Sequence, residues 1–194
     1  MQDNIEQPEL SAESSAWVAR FLPRIKPGGR VLDLAAGSGR HTRLLKDGGF
    51  AVRAVDRDVG ALLPLAGPLC EVQQIDLETG AAWQLGDGYD GIIVTNYLHR
   101  PLLPTLGRAL APGGVLIYET FGRGNERFGR PHNPAFLLRP GELLEAFPGL
   151  TVVAFEQGEI SMPRRAVIQR LAAVSGPLGR LPEPAALDNS LPPE

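Results

Sequence analysis

Two acidic residues and a glycine-rich turn carry the clearest chemical signal in this sequence. The apolar run Val31–Leu34 contains Asp33 and leads directly into the turn Ala35-Ala-Gly-Ser-Gly39. Glycine at positions 37 and 39 would let backbone N–H groups approach a bound ligand closely. A second apolar run ends in Asp56, twenty-three residues after Asp33, where an acid suits hydrogen bonding to a ribose diol. The pattern therefore predicts a site for a cofactor that contains a nucleoside.

Two classes of cofactor use a glycine turn of this kind. A nicotinamide-dinucleotide site with a G-x-G-x-x-G frame starting at Gly37 requires glycine at position 42, where the chain has Thr42. Such a site directs the helix N-terminus at a pyrophosphate and does not need an acid at the end of the preceding strand. Asp33 suits instead a cationic amino-acid group, bound directly or through water.

These residues resemble motif I and the second-strand acid of class I S-adenosylmethionine (SAM) dependent methyltransferases. The resemblance implies SAM as the cofactor, with Asp56 on the ribose and Asp76 on the adenine amino group. Arg57 and Leu77 would flank the base, and Ala35 takes the place of the first glycine of the motif. Arg40 could bind the cofactor carboxylate in a two-point fork, although a solvated helix-face arginine explains its position equally well. The complete set of predicted cofactor residues is Asp33, Ala35, Gly37, Gly39, Arg40, Asp56, Arg57, Asp76, Leu77 and Asn96.

The segment Thr95-Asn-Tyr-Leu-His-Arg-Pro101 resembles motif IV of the same family, where methyl acceptors bind. Asn96 and Tyr97 would line the methyl-transfer site, and His99 could act as a general base near neutral pH. A structural histidine in the turn before Pro101 is an equally good explanation. Tyr97-Leu98 replaces the two prolines of the Asn-Pro-Pro-aromatic signature, which argues against methylation of nucleic-acid bases. Because a sulfonium is already a good leaving group, in-line positioning can supply most of the acceleration, and no catalytic triad is expected.

A loop rich in glycine, proline and arginine at 122–134 is the most distinctive stretch of the chain. Residues 120–139 contain four arginines, at 123, 127, 130 and 139, against one acid, Glu126. At the binding edge of a sheet, such a loop suits a lid over an acceptor that carries a carboxylate or a phosphate. A solvated arginine-rich loop is the alternative. The predicted acceptor contacts are Arg100, Glu119, Arg123, Asn125, Arg127 and Phe128.

The Asn-Tyr-Leu-His-Arg, Glu-Thr-Phe and Gly-Asn-x-x-Phe-Gly motifs of these two segments are similar to those of a particular methyltransferase group. It consists of small proteobacterial proteins that distantly resemble the tellurite-resistance methyltransferases. The resemblance covers about residues 15–174. It supports a functional role for the loop without naming the acceptor.

The elements that must position these residues follow from hydrophobic runs and turn signals. Trp17 and Phe21 mark one face of a helix, and Pro163 lies in a link so short that the last two strands should pair antiparallel. The expected fold is α/β: a doubly wound, Rossmann-like sheet of seven strands, mostly parallel with an antiparallel terminal hairpin, between two helical layers. Strands are predicted at 30–34, 51–56, 70–75, 89–95, 115–121, 151–157 and 166–174, and helices at 11–22, 39–47, 101–110 and 140–147.

The composition limits the class of protein. With 194 residues, 43% of them hydrophobic, and a formal charge of −3, the chain is expected to form a single domain over residues 1–175. A proline-rich, irregular tail is expected at 176–194. Apolar runs are too short for a membrane span and no signal segment begins the chain, so a cytoplasmic location is expected. The single cysteine, Cys70, excludes an internal disulfide and gives no zinc spacing, so no metal is expected.

The sequence therefore predicts a SAM-dependent methyltransferase that acts on a small molecule. The near-neutral charge argues against long nucleic acid as a partner, because such proteins usually present a basic face. Methylation of RNA or protein is an alternative, favoured if the arginine loop meets a larger basic surface. A SAM-binding regulator without catalytic activity is a further alternative.

Overall fold

A single seven-stranded sheet organises the chain. The computed structural model describes residues 14–79 and 85–177. The strand order is β3-β2-β1-β4-β5-β7-β6. The first five strands are parallel, and β7 is antiparallel to both of its neighbours, β5 and β6. The predicted fold class is confirmed. The strands are β1 Arg30–Leu34, β2 Ala51–Asp56, β3 Cys70–Gln74, β4 Tyr89–Thr95, β5 Leu110–Phe121, β6 Thr151–Ile160 and β7 Ala166–Val174.

Helices cover both faces of the sheet and give it three layers. They are α1 Ala16–Phe21, α2 Arg40–Asp47, α3 Leu103–Ala109 and α4 Glu142–Ala146. Trp17 and Leu45 bury α1 and α2 against one face, while Leu106 and Leu143 bury α3 and α4 against the other. Because β1 and β4 are covered on both sides, their sequences are almost continuously apolar.

Several element boundaries differ from the predicted ones for local reasons. The described part of the first helix begins at Ala16, where the Ser15 side chain accepts hydrogen bonds from the N–H groups of Trp17 and Val18. Residues 11–13 of the predicted helix lie outside the described residues. The helix predicted from 101 opens as a 3-10 turn at Arg100–Leu102, and β5 starts at Leu110 because Leu110 pairs with Tyr89 across a register shift.

Two sequence predictions concern parts of the chain that the structure covers incompletely. The predicted tail lies outside the described residues from position 178 onward, and the segment between the strands predicted at 70–75 and 89–95 is described except for residues 80–84. In the described ranges, no helix has the length and apolar character needed to cross a membrane. Nor do the residues of those ranges form a group of three His, Cys, Asp or Glu side chains that could hold a metal ion.

Candidate active site

A cavity of about 750 Å³ opens at the carboxyl ends of β1 to β4. It lies beside the point where the strand order reverses, between β1 and β4, which is where doubly wound sheets bind ligands. Its volume falls in the ordinary range for cofactor sites, roughly 300–1,000 Å³. The cavity brings together most of the predicted cofactor residues: Ala35, Gly37, Arg40, Asp56, Arg57, Asp76, Leu77 and Asn96.

The two glycines of the turn have different surroundings. Gly37 has a φ of +55°, and a Cβ on it would meet no atom within 4 Å, so the residue borders open space in the cavity wall. Gly39 has a φ of +75° and is buried, and a Cβ there would lie 2.7 Å from Leu65 and 2.9 Å from Leu62. Leucine side chains, rather than the cavity, therefore make the close approach to Gly39.

Asp56 is held in place by the backbone around it. Its Oδ2 accepts a hydrogen bond of 2.8 Å from the Gly37 N–H, and its Oδ1 accepts one of 3.0 Å from the Asp58 N–H. Each carboxylate oxygen has more than one acceptor site. Both can therefore still accept a hydrogen bond from a ligand hydroxyl, so the geometry is compatible with a ribose diol.

Asp33 lies underneath the turn rather than on the cavity wall. Alternation along β1 turns it to the side of the sheet that carries α2, where it is only 2% exposed. Its Oδ2 accepts a hydrogen bond of 2.6 Å from the Thr42 hydroxyl. Burial raises the pKa of Asp33 to about 6, against the opposing effects of Thr42 and Arg40. Thr42 thus has a structural task that glycine at this position would not perform.

Two non-glycine residues of the cavity wall adopt left-handed backbone conformations. Ala35, after β1, and Asn96, after β4, both have a φ of +55°. This region costs an ordinary L-residue roughly 1–2 kcal/mol. Such strain concentrates at functional sites because the surrounding structure must enforce it. At Ala35 it also explains why the methyltransferase motif commonly has glycine there.

Tyr97 contributes a polar atom without a partner. Among the buried side-chain oxygen and nitrogen atoms of the described residues, only its hydroxyl lacks a hydrogen bond. Burial raises the pKa of Tyr97, and the nearby carboxylates of Glu78 and Asp76 raise it further. The hydroxyl therefore stays protonated, and it remains available as a donor to a ligand.

The change Tyr97→Phe removes a buried hydroxyl that has no hydrogen-bond partner. Without ligand, the variant should have the same free energy of unfolding as wild type, or one that is higher by up to about 1 kcal/mol. The matched control is Tyr118→Phe, whose hydroxyl donates to the Tyr97 carbonyl at 2.9 Å. That change should destabilise by about 1 kcal/mol. Urea unfolding of the two variants checks the pair. An equal decrease in the free energy of unfolding in Tyr97→Phe and Tyr118→Phe would show that the Tyr97 hydroxyl is hydrogen-bonded in the folded protein.

A polar network ties α1 to the strand ends behind the cavity. The Ser15 N–H donates to Nε2 of His41 at 3.0 Å, and the Ser15 hydroxyl donates to Glu119 at 2.8 Å. Burial lowers the pKa of His41 to about 4, so its ring is neutral and serves as a hydrogen-bonding group. The other Glu119 oxygen accepts from Arg170 at 3.3 Å. Glu119, predicted as an acceptor contact, thus joins the first helix to β7.

The other predicted acceptor residues lie away from the cavity wall. Arg100 binds both oxygens of Glu142 and the carbonyls of Ala135 and Leu137. It borders a second cavity, of about 740 Å³, between α3 and α4. The described lining of the first cavity includes Tyr97 but none of His99, Arg100, Glu119, Arg123, Asn125, Arg127 and Phe128.

Asn125 is buried within its own loop. It is 2% exposed; its Oδ1 accepts from the Val167 N–H at 3.2 Å, and its Nδ2 donates to the Gly129 carbonyl at 3.4 Å. In this conformation the side chain fixes the loop against β7. A direct contact between Asn125 and the acceptor stays a sequence prediction.

Sequence reasoning missed Phe136, which lines the cavity from the turn Pro134–Phe136 and is 44% exposed. The turn is positioned through the Arg100 contacts to the carbonyls on either side of Phe136. Because those contacts join residues about 35 positions apart, no local pattern in the sequence could have located this side chain.

Comparison with known proteins places the chain in a family. A family model described as a methyltransferase domain matches residues 7–173. The chain belongs to this methyltransferase domain family. TehB from Haemophilus influenzae has the same fold, with a TM-score of 0.68 at 17% identity over 86% of this chain and 63% of that one. A TehB-like SAM-dependent methyltransferase from Corynebacterium glutamicum has a TM-score of 0.58 at 20% identity over 82% of this chain and 87% of that one.

Curated relatives match only in part. A protein-L-isoaspartate O-methyltransferase of Chlorobaculum tepidum is 31% identical in an alignment of 122 positions that covers 58% of this chain and 54% of that protein. A protein of the same name from Chlorobium phaeobacteroides is 35% identical in an alignment of 107 positions that covers 53% of this chain and 48% of that protein. The chain thus spans about half the length of the curated relatives it matches. The predicted resemblance to the class I methyltransferases is confirmed at the level of family, and the predicted Rossmann-like architecture at the level of fold.

Proposed function

We propose that the protein is a SAM-dependent methyltransferase that transfers a methyl group to a small acceptor bearing a carboxylate or a phosphate. The observation that carries the cofactor assignment is the cavity at the sheet reversal, lined by Asp56, Asp76 and the Gly37 turn. Its acidic residues suit ribose hydroxyls and an adenine amino group, and Asp33 beneath the turn suits a cationic amino-acid end. Family membership and fold support the same assignment.

The residues of the cavity fit SAM in size and in chemistry. Asp56 would bind the ribose diol, Asp76 the adenine amino group, and Ile75 and Leu77 an apolar face of the base. The Asp33 charge, buried beneath the turn, would stabilise the cationic amino-acid end. The unpaired Tyr97 hydroxyl offers one further donor.

When bound, SAM supplies a methyl group already activated by the sulfonium. The chain then needs to hold the acceptor in line and keep water away from the reacting atoms. Asn96, Tyr97 and Phe136 line the cavity, which supports giving this task to them. His41 is neutral and fully engaged in hydrogen bonds, so we assign it no proton transfer.

The cofactor assignment is tested by calorimetric titration of SAM, S-adenosylhomocysteine and NAD. The first two should bind and NAD should not. Binding of NAD without SAM would overturn the proposal.

Asp56→Ala is expected to weaken SAM binding by roughly 1–3 kcal/mol, the scale of a lost hydrogen bond to a charged group. Asp47→Ala, at an exposed acid on the last residue of α2, is the matched control and should leave affinity unchanged. The titrations should be accompanied by circular dichroism, because Asp56 also orders the turn at Gly37. A folded Asp56→Ala variant with wild-type affinity would remove Asp56 from the site.

A second candidate is methylation of a carboxylate on a peptide. Both curated relatives are named protein-L-isoaspartate O-methyltransferases, and this supports testing such an acceptor directly. The assay is release of S-adenosylhomocysteine with an isoaspartyl peptide, compared with the aspartyl peptide of the same sequence. Turnover of the isoaspartyl peptide alone would favour this candidate over a small-molecule acceptor.

A further inference from the structure

Two loops beside the candidate active site form one basic surface. The loop after β5, residues 122–131, meets the loop between β6 and β7, residues 161–165, where the Arg165 guanidinium lies 4.6 Å from the centre of the Phe128 ring. The first loop is also tied to the adjoining strand ends, since the Gly122 N–H donates to the Val167 carbonyl of β7 at 2.9 Å and Arg127 lies 3.7 Å from Glu159 of β6. We call this surface the arginine platform; it consists of Arg123, Arg127, Arg130, Arg164 and Arg165 with the rings of Phe121 and Phe128.

The arginine platform has more positive charge than its own acids neutralise. Its five arginines face two carboxylates, Glu126 and Glu159, in a chain whose overall formal charge is −3. Glu159 is shared, since its Oε1 binds Arg165 at 2.7 Å and its Oε2 binds Arg127 at 3.7 Å. Within residues 14–79 and 85–177, neither Arg123, Arg130 nor Arg164 forms an ion pair. The excess charge is therefore available to an anion from solution.

Aromatic rings hold several of these arginines in place. The guanidinium groups of Arg165 and Arg127 lie 4.6 and 5.0 Å from the centre of the Phe128 ring, and that of Arg164 lies 5.2 Å from Phe121. Arg127 donates through its Nε to the Gly124 carbonyl at 3.0 Å and Arg165 through its Nε to Glu159 at 2.7 Å, so the terminal N–H groups of these side chains are the ones that would meet an oxyanion. The side chains of Arg127 and Arg165 remain 63% and 66% exposed. The arrangement is thus partly ordered before an anion arrives.

The distance from the cavity sets a requirement on the ligand. Asn96 follows β4, whereas Arg164 and Arg165 lie in the loop that joins β6 to β7, and these two strands are the third and second from β4 in the sheet. Neighbouring strands are roughly 4.8 Å apart, so two or three strand spacings separate the two places by about 10–15 Å. A compact oxyanion cannot reach both.

We propose that the arginine platform binds the anionic end of an elongated acceptor, a phosphate or carboxylate about 10–15 Å from the atom to be methylated. This inference rests on the proposed function for the identity of the cavity. Arg164 and Arg165 become binding residues that the sequence did not single out. Because the anionic end of the acceptor would bind at the arginine platform and the reacting atom would lie at the cavity, binding at the two places can be tested independently.

The test uses the full chain in low-salt buffer and two probes, inorganic pyrophosphate and citrate, titrated by calorimetry with and without saturating S-adenosylhomocysteine. The wild-type protein should bind at least one probe both with and without S-adenosylhomocysteine, and its affinity for the probe should fall as the KCl concentration is raised. The double change Arg164→Ala and Arg165→Ala should raise the Kd by about tenfold or more. A preference for pyrophosphate indicates a phosphate acceptor, and a preference for citrate a carboxylate.

The matched control removes the same charge elsewhere, through Arg24→Ala and Arg108→Ala, and should bind the probes like wild type. The inference is overturned if wild type binds neither probe, if the platform variant binds as wild type does, or if S-adenosylhomocysteine displaces the probe. Affinity for S-adenosylhomocysteine should be equal in all three proteins. If the cofactor fails to bind while the probes still distinguish the variants, the proposed function fails and the platform stands as an anion site.

Discussion

Replacing Arg100 by alanine is expected to destabilise the folded protein by about 3 kcal/mol. The guanidinium forms a two-point ion pair with Glu142, whose side chain is 6% exposed, and also binds the carbonyls of Ala135 and Leu137. Breaking a buried pair costs roughly 3–5 kcal/mol, because the remaining charge stays buried without compensation. We expect the lower end because the Arg100 side chain is 37% exposed and because the Glu142 carboxylate still accepts a hydrogen bond of 2.7 Å from the Arg139 N–H.

Urea unfolding measures this loss as a fall in midpoint at constant slope. Arg108→Ala is the control, since Arg108 is an exposed arginine on α3 that contacts only the Thr105 hydroxyl among the bonds described. It should change the free energy of unfolding by less than about 0.5 kcal/mol. Similar midpoints for Arg100→Ala and Arg108→Ala would show that the Arg100 network contributes little to stability.

Asp33→Asn is expected to stabilise the protein at pH 8 while weakening its affinity for SAM. Burial raises the pKa of Asp33 to about 6 from an ordinary value of 3.8. Each pKa unit corresponds to about 1.4 kcal/mol, so the ionised side chain costs the fold about 3 kcal/mol above pH 6. Asparagine keeps an acceptor for the Thr42 hydroxyl and removes the charge.

The pH dependence of both effects has a definite sign. The folded state binds the Asp33 proton more tightly than the unfolded state does. The contribution of Asp33 to the free energy of unfolding of wild type is therefore fully present below about pH 4 and is lost as the pH rises through 6. The gap between Asp33→Asn and wild type should therefore close between pH 6 and pH 4. A cationic ligand favours the ionised carboxyl, so wild-type SAM affinity should fall below pH 6 while that of the variant stays flat.

Unfolding and calorimetry at pH 8, 6 and 4.5 measure these changes. Asp47→Asn, at the end of α2, provides an exposed acid for comparison and should show neither effect. A gap in stability that does not change with pH would mean that Asp33 is not the titrating group. Equal SAM affinity in Asp33→Asn and wild type would exclude the buried charge from the cofactor site.

The fold and the set of residues that meet in the first cavity could be predicted because their signals are local. Runs such as Val31–Leu34 and Tyr89–Thr95 are apolar because both faces of the central strands are covered. Residues that end neighbouring parallel strands then meet at one edge, so Asp56, Asp76 and Asn96 reach one cavity by topology alone. Family resemblance added the chemical identity of the ligand.

The acceptor side could not be predicted in the same way because long-range contacts decide it. From sequence alone, a polar side chain near the carboxyl ends of the strands can be predicted equally well to contact a ligand or to bridge two elements of the fold. Arg100 bridges to α4 and Asn125 to β7, although both types of residue bind anions elsewhere. The pairing of two loops that are about 40 residues apart created the surface around Phe128. Likewise, Gly39 needs its small size for Leu62 and Leu65, which the turn sequence does not reveal.

The position of β7 has a consequence for how the chain folds during synthesis. This strand leaves the ribosome after the other six strands that the structure describes, yet it lies between β5 and β6 and is almost entirely buried. Until it emerges, one edge of β5 has no hydrogen-bonding partner, and β6 has no neighbour with which to join the sheet. Such an apolar, unpaired edge is a template for association with other chains. A nascent chain paused before residue 166 should therefore depend on chaperones, and the dependence should end once Val174 is free of the exit tunnel.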